Sequence, residues 1–73
     1  MTKSIVCKGI VKTQPTQESE SSCGFFLGGI PVKVYQPCLT DSVMDNIRMG
    51  MRVRIFGRLS QFCFVAEKIE IQL

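Results

Sequence analysis

The sequence predicts an all-β domain with five short strands and one short helix between the third strand and the fourth. Apolar and polar residues alternate with a period of two in several short segments, which is typical of strands with one buried face. Gly- and Pro-containing turns separate these segments. Residues 39–47 instead repeat their apolar side chains at four-residue spacing, which is typical of a helix.

Length and composition indicate a single domain over residues 1–73. Hydrophobic residues make up 45% of the chain, which is ample for a packed core. A domain of this size buries only about 60% of its unfolded surface, so its core is thin. Closing the sheet into a barrel, or dimerising, would add stability.

The first strand is predicted over residues 2–13, and its two faces differ. One face carries Ile5, Cys7, Gly9 and Val11, and the other carries Val6, Lys8, Ile10 and Lys12. Gly9 marks a bend, as in a barrel where one strand serves both halves of the sheet. Residues 14–22 contain no aliphatic or aromatic side chain, and we expect a flexible polar loop there.

A β-hairpin is predicted next, with strands at 23–27 and 30–35 and a turn at Gly28 and Gly29. On its first strand, Phe25 and Leu27 are assigned to the core and Phe26 to the exterior. On its second strand, one face carries Ile30, Val32 and Val34, and the other carries Lys33 and Tyr35.

The helix is predicted over residues 40–49, with its N-cap among Thr40, Asp41 and Ser42. Its apolar side consists of Leu39, Val43 and Ile47. Gly50 is placed to end the helix, because glycine tolerates the left-handed conformation that follows many helices.

The fourth strand is predicted over residues 50–59 and has two chemically distinct faces. The apolar face carries Met51, Val53, Ile55, Gly57 and Leu59, and the outer face carries Arg52, Arg54, Phe56 and Arg58. A tight turn at residues 60–61 leads into the last strand, at 62–71. The alternation slips near Glu67 and Lys68, so a bulge is expected there.

Several function classes find no support in the sequence. The chain contains no histidine, and no nucleophile–base set or paired-carboxylate signature replaces it, so we expect no enzyme activity. Four cysteines occur without a Cys-x-x-Cys pair, so free buried thiols are expected, with no metal and no cofactor. No apolar run approaches the roughly 20 residues that span a bilayer. We expect a cytoplasmic protein, or a nuclear one in a eukaryote, that is neither secreted nor membrane-bound.

Three segments carry a resemblance to a known superfamily: residues 5–11, 46–59 and 64–71. The C-terminal half contains, in this order, a helix end, Gly50, an alternating strand, Gly57 and a hairpin. The chain resembles a minimal member of the OB-fold superfamily, similar to small single-stranded DNA-binding proteins and to small OB subunits of the replication protein A type. The resemblance implies a five-stranded barrel with a binding groove over its second and third strands.

The residues that we expect to contact nucleic acid are cations and aromatic rings in outward phases of the strands. They are Lys8, Lys12, Phe26, Lys33, Tyr35, Arg52, Arg54 and Arg58. Lys33 and Tyr35 are the central candidates, because the implied groove lies over the hairpin that carries them. Val6, Ile10 and Phe56 share the outward phase but are less polar, and they are candidates for a subunit interface.

The formal net charge of +3 is mild, but the bases concentrate in the strands. The expected function is sequence-tolerant binding of single-stranded DNA, with RNA as a possible ligand, in replication, recombination or repair. The alternative is a structural or adaptor subunit that binds no nucleic acid. A homodimer or an OB-containing partner protein is expected in addition.

Overall fold

The computed structural model of the protein describes residues 4–72, which form six strands and one helix. The elements are β1 (Ile5–Ile10), β2 (Thr16–Ser19), β3 (Ser22–Leu27), β4 (Ile30–Val34), α1 (Pro37–Asn46), β5 (Arg52–Leu59) and β6 (Phe64–Ile71). The chain is therefore mostly β, with one short helix before the last two strands, as predicted. Residues 2 and 3 of the predicted first strand lie outside the described residues.

The six strands form one sheet in the order β1-β5-β6-β4-β3-β2. The β4–β6 pair is parallel and all other pairs are antiparallel. The sheet curves until the chain just beyond β1 meets the end of β3 at an isolated bridge between Val11 and Leu27. Because one bridge is not a ladder, the sheet is not closed into a barrel, and it has six strands, so the predicted five-stranded barrel is wrong.

The extra strand is β2, which lies within the predicted polar loop. Thr16 pairs with Gly24 and Gln17 with Cys23 of β3. The side chains of β2 are all exposed, because it is an edge strand. A strand without a buried face needs no apolar alternation, so the hydrophobic pattern could not reveal it.

The helix begins earlier than predicted, at Pro37, with Gln36 as its N-cap residue. Proline suits the first helical position because its missing N–H would have no helical acceptor there. Thr40 caps nothing: it is buried, and its hydroxyl donates to the carbonyl of Ser21 (3.1 Å). The helix ends at Asn46, so Gly50, with φ of 94°, belongs to the turn before β5.

The core lies between the concave face of the sheet and α1. Its buried hydrophobic residues are Val11, Cys23, Phe25, Leu27, Val32, Val34, Val43, Ile47, Val53, Ile55, Phe64 and Ala66. The inward phases predicted for β3 and for the centre of β5 are confirmed. Leu59, predicted to be buried, is 66% exposed because it lies at the end of β5 beyond the core.

The predicted bulge in the last strand is confirmed at Glu67. Phe56 pairs with Lys68 and Gly57 with Ala66, which leaves Glu67 as the extra residue. At Gly57 the carbonyl of Val65 occupies the position that a Cβ atom would take. The bulge therefore requires glycine at this point of β5.

Candidate nucleic-acid interface

A groove crosses the outer surface of β3 and β4 and is bounded by β2. It has a volume of about 270 Å³, and its lining includes Thr16, Glu18, Gly24, Phe26, Pro31 and Lys33. The cross-strand pairs Gly24–Lys33 and Phe26–Pro31 place these residues on the same outer face. The two-residue turn at Gly28 and Gly29, with Gly28 at φ of 61°, holds this register.

Gly24 leaves space above the floor of the groove, and Glu18 enters this space. A Cβ atom at this position would lie 3.2 Å from Oε1 of Glu18 and 3.2 Å from the carbonyl oxygen of Val32. The space above the glycine is thus partly filled by the Glu18 carboxylate, which reaches in from β2. A carboxylate in this position competes with any other anion that enters the groove.

Lys33 lines the groove, and its ammonium group forms an ion pair with Glu18. The hydrogen bond from Nζ to this carboxylate raises the pKa of Lys33, and partial desolvation opposes the shift. Both side chains remain about one-third exposed, at 32% and 39%. Lys33 can therefore exchange its partner for a phosphate, but it is not an unpaired cation.

One exposed aromatic ring lines the groove, and a second directly follows β4. Phe26 is 45% exposed and Tyr35, which follows β4, is 55% exposed. Lys12 lies beside Phe26, because its N–H donates to the Phe26 carbonyl (2.7 Å). The predicted outward orientation of Phe26 is confirmed, and the exposed residue Lys12 is its backbone neighbour at this end of β3.

The outer face continues from the groove towards the β5–β6 turn. Val65 of β6 pairs with Lys33 on one side and with Arg58 on the other, so these residues form a row across three strands. Arg58 and Val65 line a second cavity of about 300 Å³ with Leu59 and Ser60. Nε of Arg58 lies 3.5 Å from a carboxylate oxygen of Glu67.

Phe62 is a candidate that the sequence interpretation assigned only to a strand. It lies in the turn between β5 and β6, which the hydrogen bond from the Ser60 N–H to the Cys63 carbonyl closes (2.7 Å). Its ring is 82% exposed. The sequence could have indicated this exposed ring, because Phe62 directly follows the polar pair Ser60-Gln61 of the predicted turn.

Six of the predicted residues lie on a different surface, the outer side of β1 and β5, which we call the cationic face. The cross-strand pairs Val6–Phe56, Lys8–Arg54 and Ile10–Arg52 form it. The predicted nucleic-acid contacts Lys8, Arg52 and Arg54 therefore adjoin the predicted interface residues Val6, Ile10 and Phe56. The structure separates this set from the groove that holds Lys33.

Part of the cationic face is covered by side chains of β6. Nζ of Lys68 lies 5.4 Å from the centroid of the Phe56 ring. Arg54 and Lys68 both approach Glu70, at 3.5 and 3.4 Å. Val6 and Ile10 are 46% and 50% exposed. Phe56 is half-buried, so the aliphatic residues of β1 are the more open part of this face.

The four cysteines occupy different environments. Cys23 is buried, Cys7 and Cys63 are half-buried, and Cys38 at the start of the helix is exposed, against the expectation of buried thiols. Residues 4–72 contain no cluster of three or more His, Cys, Asp or Glu side chains that could hold a metal ion. No helix within these residues is long and apolar enough to cross a membrane.

No protein-family model matches the sequence, and no curated protein is significantly similar to it.

Proposed function

We propose that the protein binds single-stranded nucleic acid in the groove on β3 and β4, with little sequence preference. One observation carries the proposal: the exposed ring of Phe26 lines this groove, and the exposed rings of Tyr35 and Phe62 lie directly after β4 and in the β5–β6 turn, next to the strands that form the groove and its extension across β6. Each stacked base is worth about 1–3 kcal/mol, and every base offers a face for stacking. Such binding would serve replication, recombination or repair.

We also propose that the fold is of the OB type, which supports this location. In an OB-fold, a partly open barrel binds oligonucleotides on its second and third strands, between two flanking loops. The order β1-β5-β6-β4-β3, the parallel β4–β6 pair and the position of α1 are consistent with that arrangement. β2 then continues the first OB strand, and β3 and β4 correspond to the second and third.

The charges of the groove favour stacking over electrostatic attraction. Lys12, Lys33 and Arg58 are available to phosphates, but Glu18 and Glu67 already pair with two of them. Neutralising one phosphate of a single strand contributes about −0.7 to the slope of log K against log salt concentration. We therefore expect a shallow slope, close to that of one or two phosphate contacts.

Fluorescence anisotropy of labelled oligo-dT and oligo-U at low salt tests the proposal. We expect saturable binding of at least one oligomer, weakened by Tyr35→Ala and unchanged by Ile10→Ala. Ile10 is a suitable control because it is 50% exposed but lies on the cationic face. No binding of either oligomer at about 50 μM protein, where even non-specific complexes are measurable, would refute the proposal.

A second candidate is an adaptor subunit that binds protein and no nucleic acid. The half-exposed aliphatic side chains of Val6 and Ile10 favour it, because neighbouring apolar residues on an exposed strand are typical of interaction surfaces. A protein that shifts no oligonucleotide in the anisotropy experiment, yet forms a stable complex with another protein, would support this candidate.

A further inference from the structure

β1 is an edge strand, since β5 is its single neighbour in the sheet described over residues 4–72. Hydrogen bonds at its end show how its backbone is oriented. The Val11 N–H donates to Met51 on the β5 side (2.8 Å), whereas the Ile10 carbonyl accepts from Gly28 on the opposite side (3.1 Å). Backbone groups alternate along a strand, so Val6 and Lys8 direct their N–H and C=O groups away from β5.

The side chains of these same residues stand on the cationic face. Lys8 is exposed and lies between Val6 and Ile10, which are 46% and 50% exposed. If another strand were added at this edge, every second side chain of that strand would lie beside Val6, Lys8 or Ile10. The edge therefore offers both backbone hydrogen bonds and a side-chain pattern to a partner.

The electrostatics of the face define the charge of that partner. Five cations, Lys8, Arg52, Arg54, Arg58 and Lys68, share the outer surface of β1, β5 and β6 with two carboxylates, Glu67 and Glu70. The excess of three positive charges equals the formal net charge of the whole chain, +3. Among the described residues outside this surface, the cations Lys12, Lys33 and Arg48 are outnumbered by carboxylates, so this face is where the protein attracts acidic groups.

A second copy of the chain does not suit the edge. An antiparallel pair of β1 strands that matches Val6 of one copy with Ile10 of the other places Lys8 opposite Lys8. Like charges directly opposite one another destabilise a sheet, and lysine on an edge strand is a common protection against self-pairing. The other cations of the face add to this repulsion.

We propose that the β1 edge binds an extended segment of a partner protein by strand addition, and that the segment alternates aliphatic and acidic residues on one face. Backbone hydrogen bonds to Val6 and Lys8 supply affinity, and carboxylates beside Lys8 and Arg54 supply selectivity. A nucleic acid is the poorer occupant, because Phe56 is half-buried beside Lys68 and the aliphatic side chains of β1 provide no stacking surface.

Two synthetic peptides with blocked ends test the proposal on the full chain labelled with ¹⁵N. The first alternates threonine on one face with valine and glutamate on the other, and the second has lysine in place of glutamate. We expect the glutamate peptide to shift the amide resonances of β1 and β5, with half-saturation below about 1 mM. It should bind about tenfold more tightly than the lysine peptide, as expected for several cross-strand charge pairs.

The variant Lys8→Glu provides a charge-reversed control at an exposed position and should weaken the preference for the glutamate peptide or invert it. The amide spectrum of this variant shows whether the variant is folded. The comparison of the two peptides uses the unmodified chain and does not depend on the variant. Equal binding of both peptides, shifts confined to the groove, or concentration-dependent dimers through β1 would overturn the proposal. The peptide experiment contains no nucleic acid, so its result is independent of the proposed binding function.

Discussion

Lys33, at the centre of the groove, is paired with Glu18 of β2, whose carboxylate lies above Gly24 where an incoming phosphate would otherwise meet the lysine. The two residues belong to different elements, and the β2–β3 pairing brings them together. Exposed ion pairs contribute only about 0–1 kcal/mol to stability, so this pair affects ligand binding more than folding.

Removing the Glu18 carboxylate should strengthen nucleic-acid binding. In Glu18→Gln, Lys33 is free to contact a phosphate, so we expect about threefold or greater affinity for oligo-dT and a salt slope that is steeper by about 0.7. Glu20→Gln removes the same charge from an exposed turn outside the groove and is the matched control. Anisotropy titrations at several salt concentrations measure both quantities. Equal effects of the two substitutions would show that net charge, and not the Lys33 pair, is responsible.

Phe62 should contribute to binding but not to stability. Because its ring is 82% exposed, Phe62→Ala removes little packing, and we expect an unchanged melting temperature. Loss of one stacking contact of about 1–3 kcal/mol should lower affinity about fivefold or more. Ile10→Ala, where the side chain is 50% exposed outside the groove, controls for loss of apolar surface. The role assigned to Phe62 fails if both substitutions leave affinity unaltered.

The thiols should differ in reactivity in the order of their exposure. Burial raises the pKa of the Cys23 thiol, the Thr40 hydroxyl opposes this shift, and the charge of Glu18 adds to it. Cys38 is exposed, so iodoacetamide should modify Cys38 first and Cys23 last, as measured by mass spectrometry of digested protein. Early modification of Cys23 would contradict the burial of β3.

The raised pKa of Cys23 also predicts the direction of a pH dependence. Folded protein holds this proton more tightly than unfolded protein does, so the contribution to stability is complete below the ordinary thiol pKa of 9.0. It declines as the pH rises from that value through the raised pKa of the folded state. The isosteric variant Cys23→Ser should lose this part of the alkaline decline in urea denaturation, whereas Cys38→Ser should retain it.

Gly57 should tolerate no side chain. A Cβ atom there would overlap the Val65 carbonyl, so Gly57→Ala must displace the bulge in β6 or abolish the β5–β6 pairing. We expect a loss of about 3 kcal/mol or more in the free energy of unfolding, comparable to severe overpacking. Gly29→Ala is the control, since nothing lies within 4 Å of its Cβ position. Urea denaturation of the two variants checks the difference, and similar midpoints would refute the account of the bulge.

Much of the fold follows from local pattern. Alternation placed Val53 and Ile55 in the core, and its interruption located the bulge at Glu67. The polar edge strand β2 and the start of the helix at Pro37 were not predictable in this way. An edge strand has no apolar period, and several residues near Pro37 could have capped a helix equally well.

The candidate site was predicted only in part. The outward phases of Phe26, Lys33 and Tyr35 followed from alternation on the hairpin. The exposed ring of Phe62 was missed, because the β5–β6 turn is longer than the predicted pair of residues and includes it. The pairing of Lys33 with Glu18 was also missed, since it depends on β2.

By itself, the sequence determined which side chains of each regular strand share a face, because successive residues of a strand point to opposite sides. The tertiary structure alone decided which faces adjoin one another. Strand order and register place Lys8 beside Arg54 on one surface and Lys33 beside Glu18 on another, although both cations occupy outward positions in their strands. Pairing between distant strands arises from packing of the whole sheet, and no local period in the sequence encodes it.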